Sequence, residues 1–135
     1  MKKGLFSLII GGLLFTSCYN NSVCFDVKNQ SIKSCDHSGI MKIYLENDSL
    51  KEFYYINWID SVNSPPITIN LEKIEKGYNI YSGWNQQQVF IKTLKLSSSS
   101  EYLITRSHGD ASAFKIKIRT DKNGHANWTS QPKCK

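Results

Sequence analysis

His108-Gly109-Asp110 and Asp36-His37 are the two places where this sequence sets catalytic residue types side by side. A hydrolytic centre on either would need a nucleophile, a base and an orienting group converging in space. The chain supplies no Gly-x-Ser-x-Gly, His-Glu-x-x-His or paired-carboxylate signature around either histidine. No catalytic residue is therefore assigned, and the protein is expected not to be an enzyme. "SHGDAS", residues 107–112, reads as a loop between strands, with Gly109 supplying a positive φ and Asp110 bonding its own turn. "TDKNG", 120–124, has the oxygen-rich look of a calcium loop. It lacks the Asp-x-Asp-x-Asp-Gly spacing and the later Glu, so an Asn-Gly hairpin accounts for it.

Cysteine chemistry is more informative, beginning with Cys18. Lys2 and Lys3 precede "GLFSLIIGGLLF", 4–15, an uncharged run with the pattern of a secretory signal. The run falls short of the roughly 20 apolar residues that a membrane-spanning helix needs. "FTSC", 15–18, resembles the lipobox of bacterial lipoproteins, with Phe15 where Leu is commoner. The resemblance covers only the first 18 residues. It implies that Cys18 is acylated on sulfur, becomes the first mature residue and ties the protein to a membrane. Two or three acyl chains, at ~0.8 kcal/mol per buried methylene, hold a soluble domain on a bilayer almost permanently. An ordinary signal peptide cut near Ser17, leaving Cys18 for a disulfide, is the alternative. Tyr19 occupies the place of the Asp that resembles an inner-membrane retention signal, and no acidic run follows. The expected location is the cell envelope, on an outer membrane facing the periplasm. On this reading residues 1–17 are signal peptide, 18–23 the lipidated cysteine and a polar tether, and 24–135 one folded domain.

Cys24, Cys35 and Cys134 remain, an odd number in an oxidising compartment, so one pair can form and one thiol is left. Folding "VCFDVKNQSIKSC" tightly about Asn29-Gln30 sets Asp26 opposite Lys33, Val27 opposite Ile32 and Cys24 opposite Cys35, which favours a cross-strand bridge. A bridge from Cys134 to Cys24 or Cys35 competes, because closing the longer loop constrains the unfolded chain more. Both alternatives stand. No two cysteines are two to four residues apart and no histidine falls in a zinc-type ligand spacing, so no metal site and no cofactor are expected.

Two surface patterns suit recognition. In "YSGWNQQQ", 81–88, Tyr81 and Trp84 offer flat apolar faces, while Asn85 and Gln87, with Gln86 and Gln88, offer neutral donors and acceptors. That combination suits a sugar or a protein surface, although a tryptophan after a strand is more often a lid on the core. Lys115, Lys117 and Arg119 form a basic stripe able to meet an anionic glycan, a lipid head group or an acidic protein. The plainer reading of the stripe is a solvated strand face whose charges discourage edge pairing.

Strands must position these residues. "AFKIKIRT" turns Phe114, Ile116 and Ile118 one way and the stripe the other, and "GIMKIYLEN" and "PITINLE" alternate likewise. "EFYYINWI", "GYNIYSGW", "QVFIKTLKL" and "EYLITRSH" add aromatic and β-branched runs, while "LEKIEK" could form a helical turn. Turn residues recur at Asn47-Asp48, 63–66, Gly77, Gly83, Gly109 and Asn123-Gly124. Seven or eight short strands so spaced predict an all-β fold, a small antiparallel β-sandwich. "LSSSSEY", with Leu96, Ser98, Ser100 and Tyr102, is similar to the tyrosine corner of fibronectin type III and immunoglobulin-like sandwiches. Ser98 and Ser100 replace the usual proline and threonine. "LEKIEKGYNIY" also resembles a strand entry found in secreted sandwich families. These resemblances imply a fold, with the Tyr102 phenol bonded back to its own loop; they imply no activity.

Lys2 and Lys3 leave with the signal segment, so the formal charge falls from +6 to +4 over the remaining 118 residues. No nucleic-acid partner is expected for an exported lipoprotein of such modest charge. The expectation is a membrane-anchored, non-catalytic binding module for a protein or glycan in the envelope, of inhibitor or immunity type. A structural accessory lipoprotein of an envelope complex is the alternative.

Overall fold

The computed structural model describes residues 21–109 and 111–134. Cys18 and Asp110 lie outside them. The described residues contain no helix and ten strands: β1 (Val23–Asp26), β2 (Ser31–Ser34), β3 (Lys42–Asn47), β4 (Glu52–Trp58), β5 (Thr68–Asn70), β6 (Tyr78–Ser82), β7 (Gln87–Val89), β8 (Glu101–Arg106), β9 (Phe114–Thr120) and β10 (Ala126–Thr129). A three-stranded antiparallel sheet, β1-β2-β5, faces a seven-stranded one ordered β10-β9-β8-β3-β4-β6-β7. The fold is thus all-β and of sandwich type, with more strands than the seven or eight expected. The order β1-β2-β5 and β9-β8-β3-β4 follows the A-B-E and G-F-C-C′ pairing of immunoglobulin-like sandwiches. The β6–β7 hairpin extends the second sheet beyond that pattern.

Period-two alternation decides which side chains go inside. Val23, Phe25, Ile32 and Ile69 from the small sheet meet Ile43, Leu45, Ile56, Ile80, Ile104, Ile116 and Ile118 from the large one in a single core. At Gly77 the backbone passes so close to Trp58 that an added Cβ would sit 2.1 Å from the indole. Trp58 in turn packs edge-on against Tyr78, with ring centroids 4.8 Å apart.

Tyr102, second in β8, is fully buried, and its hydroxyl accepts a hydrogen bond from the Ser97 amide at 2.8 Å, the geometry that the tyrosine corner implies. The same hydroxyl donates to Glu52, whose other carboxylate oxygen accepts from the Ser97 hydroxyl. Tyr102→Phe is expected to cost about 1–2 kcal/mol, because a partly buried amide and a carboxylate oxygen each lose a partner. Urea unfolding of the two proteins measures the difference; equal midpoints would show that the corner contributes nothing.

Two local expectations differ from the structure. The run "QVFIKTLKL" pairs only as far as Val89, and Phe90 is 91% exposed. Residues 90–96 instead leave the sheet edge and pass residues 71–74, where the Ile74 amide donates to the Lys92 carbonyl and Leu94 to Leu71. Held by these two backbone bonds, the segment buries Leu94 and Leu96 without forming a strand. The first hairpin is also two residues out of the expected register: Cys24 faces Lys33 and Phe25 faces Ile32. Its turn is four residues long, because Asp26 accepts from both the backbone and the side chain of Asn29. Gln30, at φ 52°, is buried and exchanges hydrogen bonds with both backbone groups of Ala126.

That register corrects the proposed Cys24–Cys35 bridge, since the two cysteines are not cross-strand partners. The disulfide joins Cys35 to Cys134 across 99 residues. The carboxyl end is held beside β1 independently, through the Phe25 amide donating to the Gln131 carbonyl at 2.9 Å. Asn21 is buried as well, and its amide donates to the Ser112 carbonyl at 3.1 Å, so the folded domain takes in residues 21–23.

Candidate functional site: the outer face of the large sheet

One face of the seven-stranded sheet packs on the core, and the other is turned to solvent. Reading across the outward face, register neighbours run Gln88, Tyr81, Tyr55, Tyr44, Thr105, Lys115. Tyr44 and Tyr55 stack at 4.8 Å between centroids with 11° between planes, and Tyr55 and Tyr81 at 5.6 Å with 25°. Such aromatic cross-strand pairs stabilise a sheet while leaving ring faces on its surface. Burial first, and then neighbouring Tyr44, push the Tyr55 hydroxyl above its ordinary pKa.

Trp84 extends this ladder. It lies in the β6–β7 turn, which Gly83 permits at φ 77° and which the Gln86 amide closes on the Gly83 carbonyl. The indole stacks on Phe53 at 4.6 Å and is still 62% exposed, whereas Phe53 beneath it is 7% exposed. Phe53 contacts Tyr44 at 5.9 Å, so Trp84, Phe53, Tyr44, Tyr55 and Tyr81 form one continuous aromatic surface. Asn85 is exposed in the same turn. Gln87 pairs with Ser82 and by alternation points away from the tyrosines, whereas Gln88, opposite Tyr81, lies on their side.

Lys115, Lys117 and Arg119 are all exposed on the same outward face, along β9. The stripe is not uniformly basic. Glu101 pairs with Arg119 at 3.0 Å and Lys117 at 3.7 Å, and the Arg119 hydrogen bond is the main cause of its lowered carboxyl pKa. Arg119 also lies 4.3 Å over the Trp128 ring, a cation–π contact. Lys115 makes no ion pair among the described residues. Beside the stripe, Glu46, Asp48, Leu103 and Lys117 help line an open depression of about 230 Å³. The two surfaces suggested by the sequence thus lie on one face of the sheet, with buried Thr105 between them, and the aromatic part is built by Tyr44, Tyr55 and Phe53, which sequence reasoning passed over. The signal was present: pairing "KIYLEN" with "EFYYINW" about the turn at 48–51 sets Tyr44 against Tyr55.

Of the two histidine clusters, the one at 108–110 includes Asp110, which lies outside the described residues. Asp36 turns to Arg106 at 3.2 Å and accepts from the Ser34 and Ser38 hydroxyls, while His37 is exposed at φ 61°. Gly109 has a positive φ of 60°, as a loop there requires. Asp121 accepts from the amides of Asn123 and His125 and closes the β9–β10 turn. A groove of about 380 Å³, lined by Gln30, Thr93, Leu96 and His125, carries the exposed His125–Glu72 pair and Lys95. The sulfurs of Cys24, Cys35 and Cys134 lie within 4.8 Å of one another, but two are joined, and a metal could use all three only after reduction. No family model, curated protein or solved structure matches this chain.

Proposed function

We propose that this protein is a lipid-anchored, non-catalytic binding module of a bacterial envelope. It recognises a protein or glycan surface with the outward face of its larger sheet. The observation that carries this reading is the continuous aromatic surface from Trp84 to Tyr81, bordered on one side by Gln88 and on the other by Lys115. Flat rings held by their neighbours lose little freedom on binding, and side-chain amides supply uncharged donors and acceptors at the margin. The mixed-charge border of β9 orients a partner rather than attracting any polyanion.

Trp84→Ala is the direct test. The indole is mostly exposed and opens no core cavity when removed, so the melting midpoint should change little, while binding to cell-wall glycan or to a partner captured from envelope extract weakens by about 2 kcal/mol or more. Tyr55→Ala should weaken binding in the same assay. Normal binding by the folded fraction of both variants would refute this face as the site. For the anchor, Cys18→Ala should abolish lipid labelling and release the protein from the membrane fraction, because the sulfur is the acyl acceptor. Unchanged labelling in that variant would refute the lipoprotein reading.

A further inference from the structure

The Cys24 thiol is buried and lies 3.2 Å from the Cys134 sulfur, which is itself bonded to Cys35. The first hairpin and the distant carboxyl-end segment thus bring three sulfurs together where only one bridge can exist at a time. Backbone hydrogen bonds also hold these segments together, independently of the bridge itself. The Cys35 amide donates to the Ser22 carbonyl at 2.8 Å, and the Phe25 amide reaches Gln131, three residues before Cys134. Exposure is graded across the set, with Cys24 buried, Cys35 half-buried and Cys134 exposed.

We propose that Cys24, Cys35 and Cys134 form a thiol–disulfide exchange site in which Cys134 is shared between two alternative bridges. The Cys24 thiolate attacks the Cys134 sulfur, and a Cys24–Cys134 bond forms as the Cys35–Cys134 bond breaks. The electron pair leaves on the Cys35 sulfur, which takes up the proton that Cys24 gave up. One disulfide and one thiol are present before and after, so no outside oxidant or reductant is consumed. The outcome is a relocated thiol: a buried, unreactive cysteine becomes a bridge, and the more accessible Cys35 becomes the group open to modification by an external disulfide or electrophile. Burial first, and Asp26 to a lesser degree, hold the Cys24 thiol above its ordinary pKa, while Lys33 and its contact with Cys134 oppose this. Exchange should therefore be slow at neutral pH and faster as the pH is raised.

The test uses the full chain in detergent. Wild-type protein is incubated at pH 7 and pH 9 with a thiol-alkylating reagent, then digested after lysine and after aromatic residues. Lys28 and Lys33 separate Cys24 from Cys35, and Tyr19 separates Cys18 from Cys24. Alkylated Cys35 together with a Cys24–Cys134 peptide, accumulating faster at pH 9, is the expected result. Alkylation without any at Cys35, or no alkylation of either, overturns the proposal. Cys35→Ser treated with oxidised glutathione should form Cys24–Cys134 and release two reduced glutathiones for each bridge. A folded variant that keeps both thiols, or carries glutathione on Cys134 instead, also overturns it. If that variant does not fold, the wild-type measurement decides.

Discussion

Arg106→Met is expected to lose about 3–5 kcal/mol of folding stability, because it leaves the Asp36 carboxylate buried without its cation. The Arg106 side chain is 1% exposed and Asp36 10%. The guanidinium donates to the Ser34 hydroxyl at 3.0 Å, to Asp36 at 3.2 Å and to the Ser38 hydroxyl at 2.6 Å. It thereby ties the end of β8 to residues 34–39, which leave β2. Arg106 Nε and one Asp36 oxygen nonetheless lack hydrogen-bond partners, so the pair stabilises the fold by much less than its close contacts suggest. The double variant Arg106→Met/Asp36→Asn should recover part of the loss, since no buried charge is then stranded. Urea unfolding of wild type, both single variants and the double variant supplies the cycle. Losses that simply add would show that the two residues do not act as a pair.

The same pair fixes a pH dependence. Burial alone would raise the Asp36 pKa, but hydrogen bonds from Ser34, Ser38 and Arg106 outweigh it and hold the carboxyl well below its ordinary 3.8. A folded value below the unfolded one means the contribution is complete above the unfolded pKa and is lost as the pH falls through the folded value. Wild type should thus be destabilised as acid is added below about pH 4, and Asp36→Asn should show a shallower acid dependence. Equal acid profiles would remove Asp36 from the account.

Cys134→Ser is expected to lower stability by about 3–5 kcal/mol, because the Cys35–Cys134 bridge closes a loop of nearly the whole domain in the unfolded chain. Cys35→Ser should cost much less. Cys24 stands 3.2 Å from Cys134 and closes a loop of similar length when it takes over the bridge. Unfolding with and without a dithiol reductant measures both effects, and reductant should erase the differences among wild type and the two variants. Equal losses in both variants would show that Cys24 cannot replace Cys35.

The sequence by itself determined the fold class and the inside and outside of most strands. Residues in "AFKIKIRT" and "GIMKIYLEN" alternate with a period that only a half-buried strand satisfies, and the outcome depends on no distant partner. The tyrosine corner was legible for a similar reason, since Ser97 and Tyr102 are five residues apart and bond each other. What tertiary structure decided was every property that depends on register or on distant partners. Gln30 finds Ala126 across 96 residues, and together with the Asp26 turn this accompanies a first-hairpin register that separates Cys24 from Cys35. "QVFIKTLKL" has strand composition but finds its hydrogen bonds at residues 71–74, and composition carries no information about where those partners lie. Nothing local in "EYLITRSH" marks Arg106 for burial, and only the convergence of Ser34, Asp36 and Ser38 takes it inside. Tyr44, Tyr55 and Tyr81 were visible as separate strand residues, but their union with Trp84 and Lys115 on one face required the order of five strands. Local periodicity is set by backbone geometry within a few residues, whereas register and strand order are set by which apolar faces can close over one another, and that is a property of the whole chain.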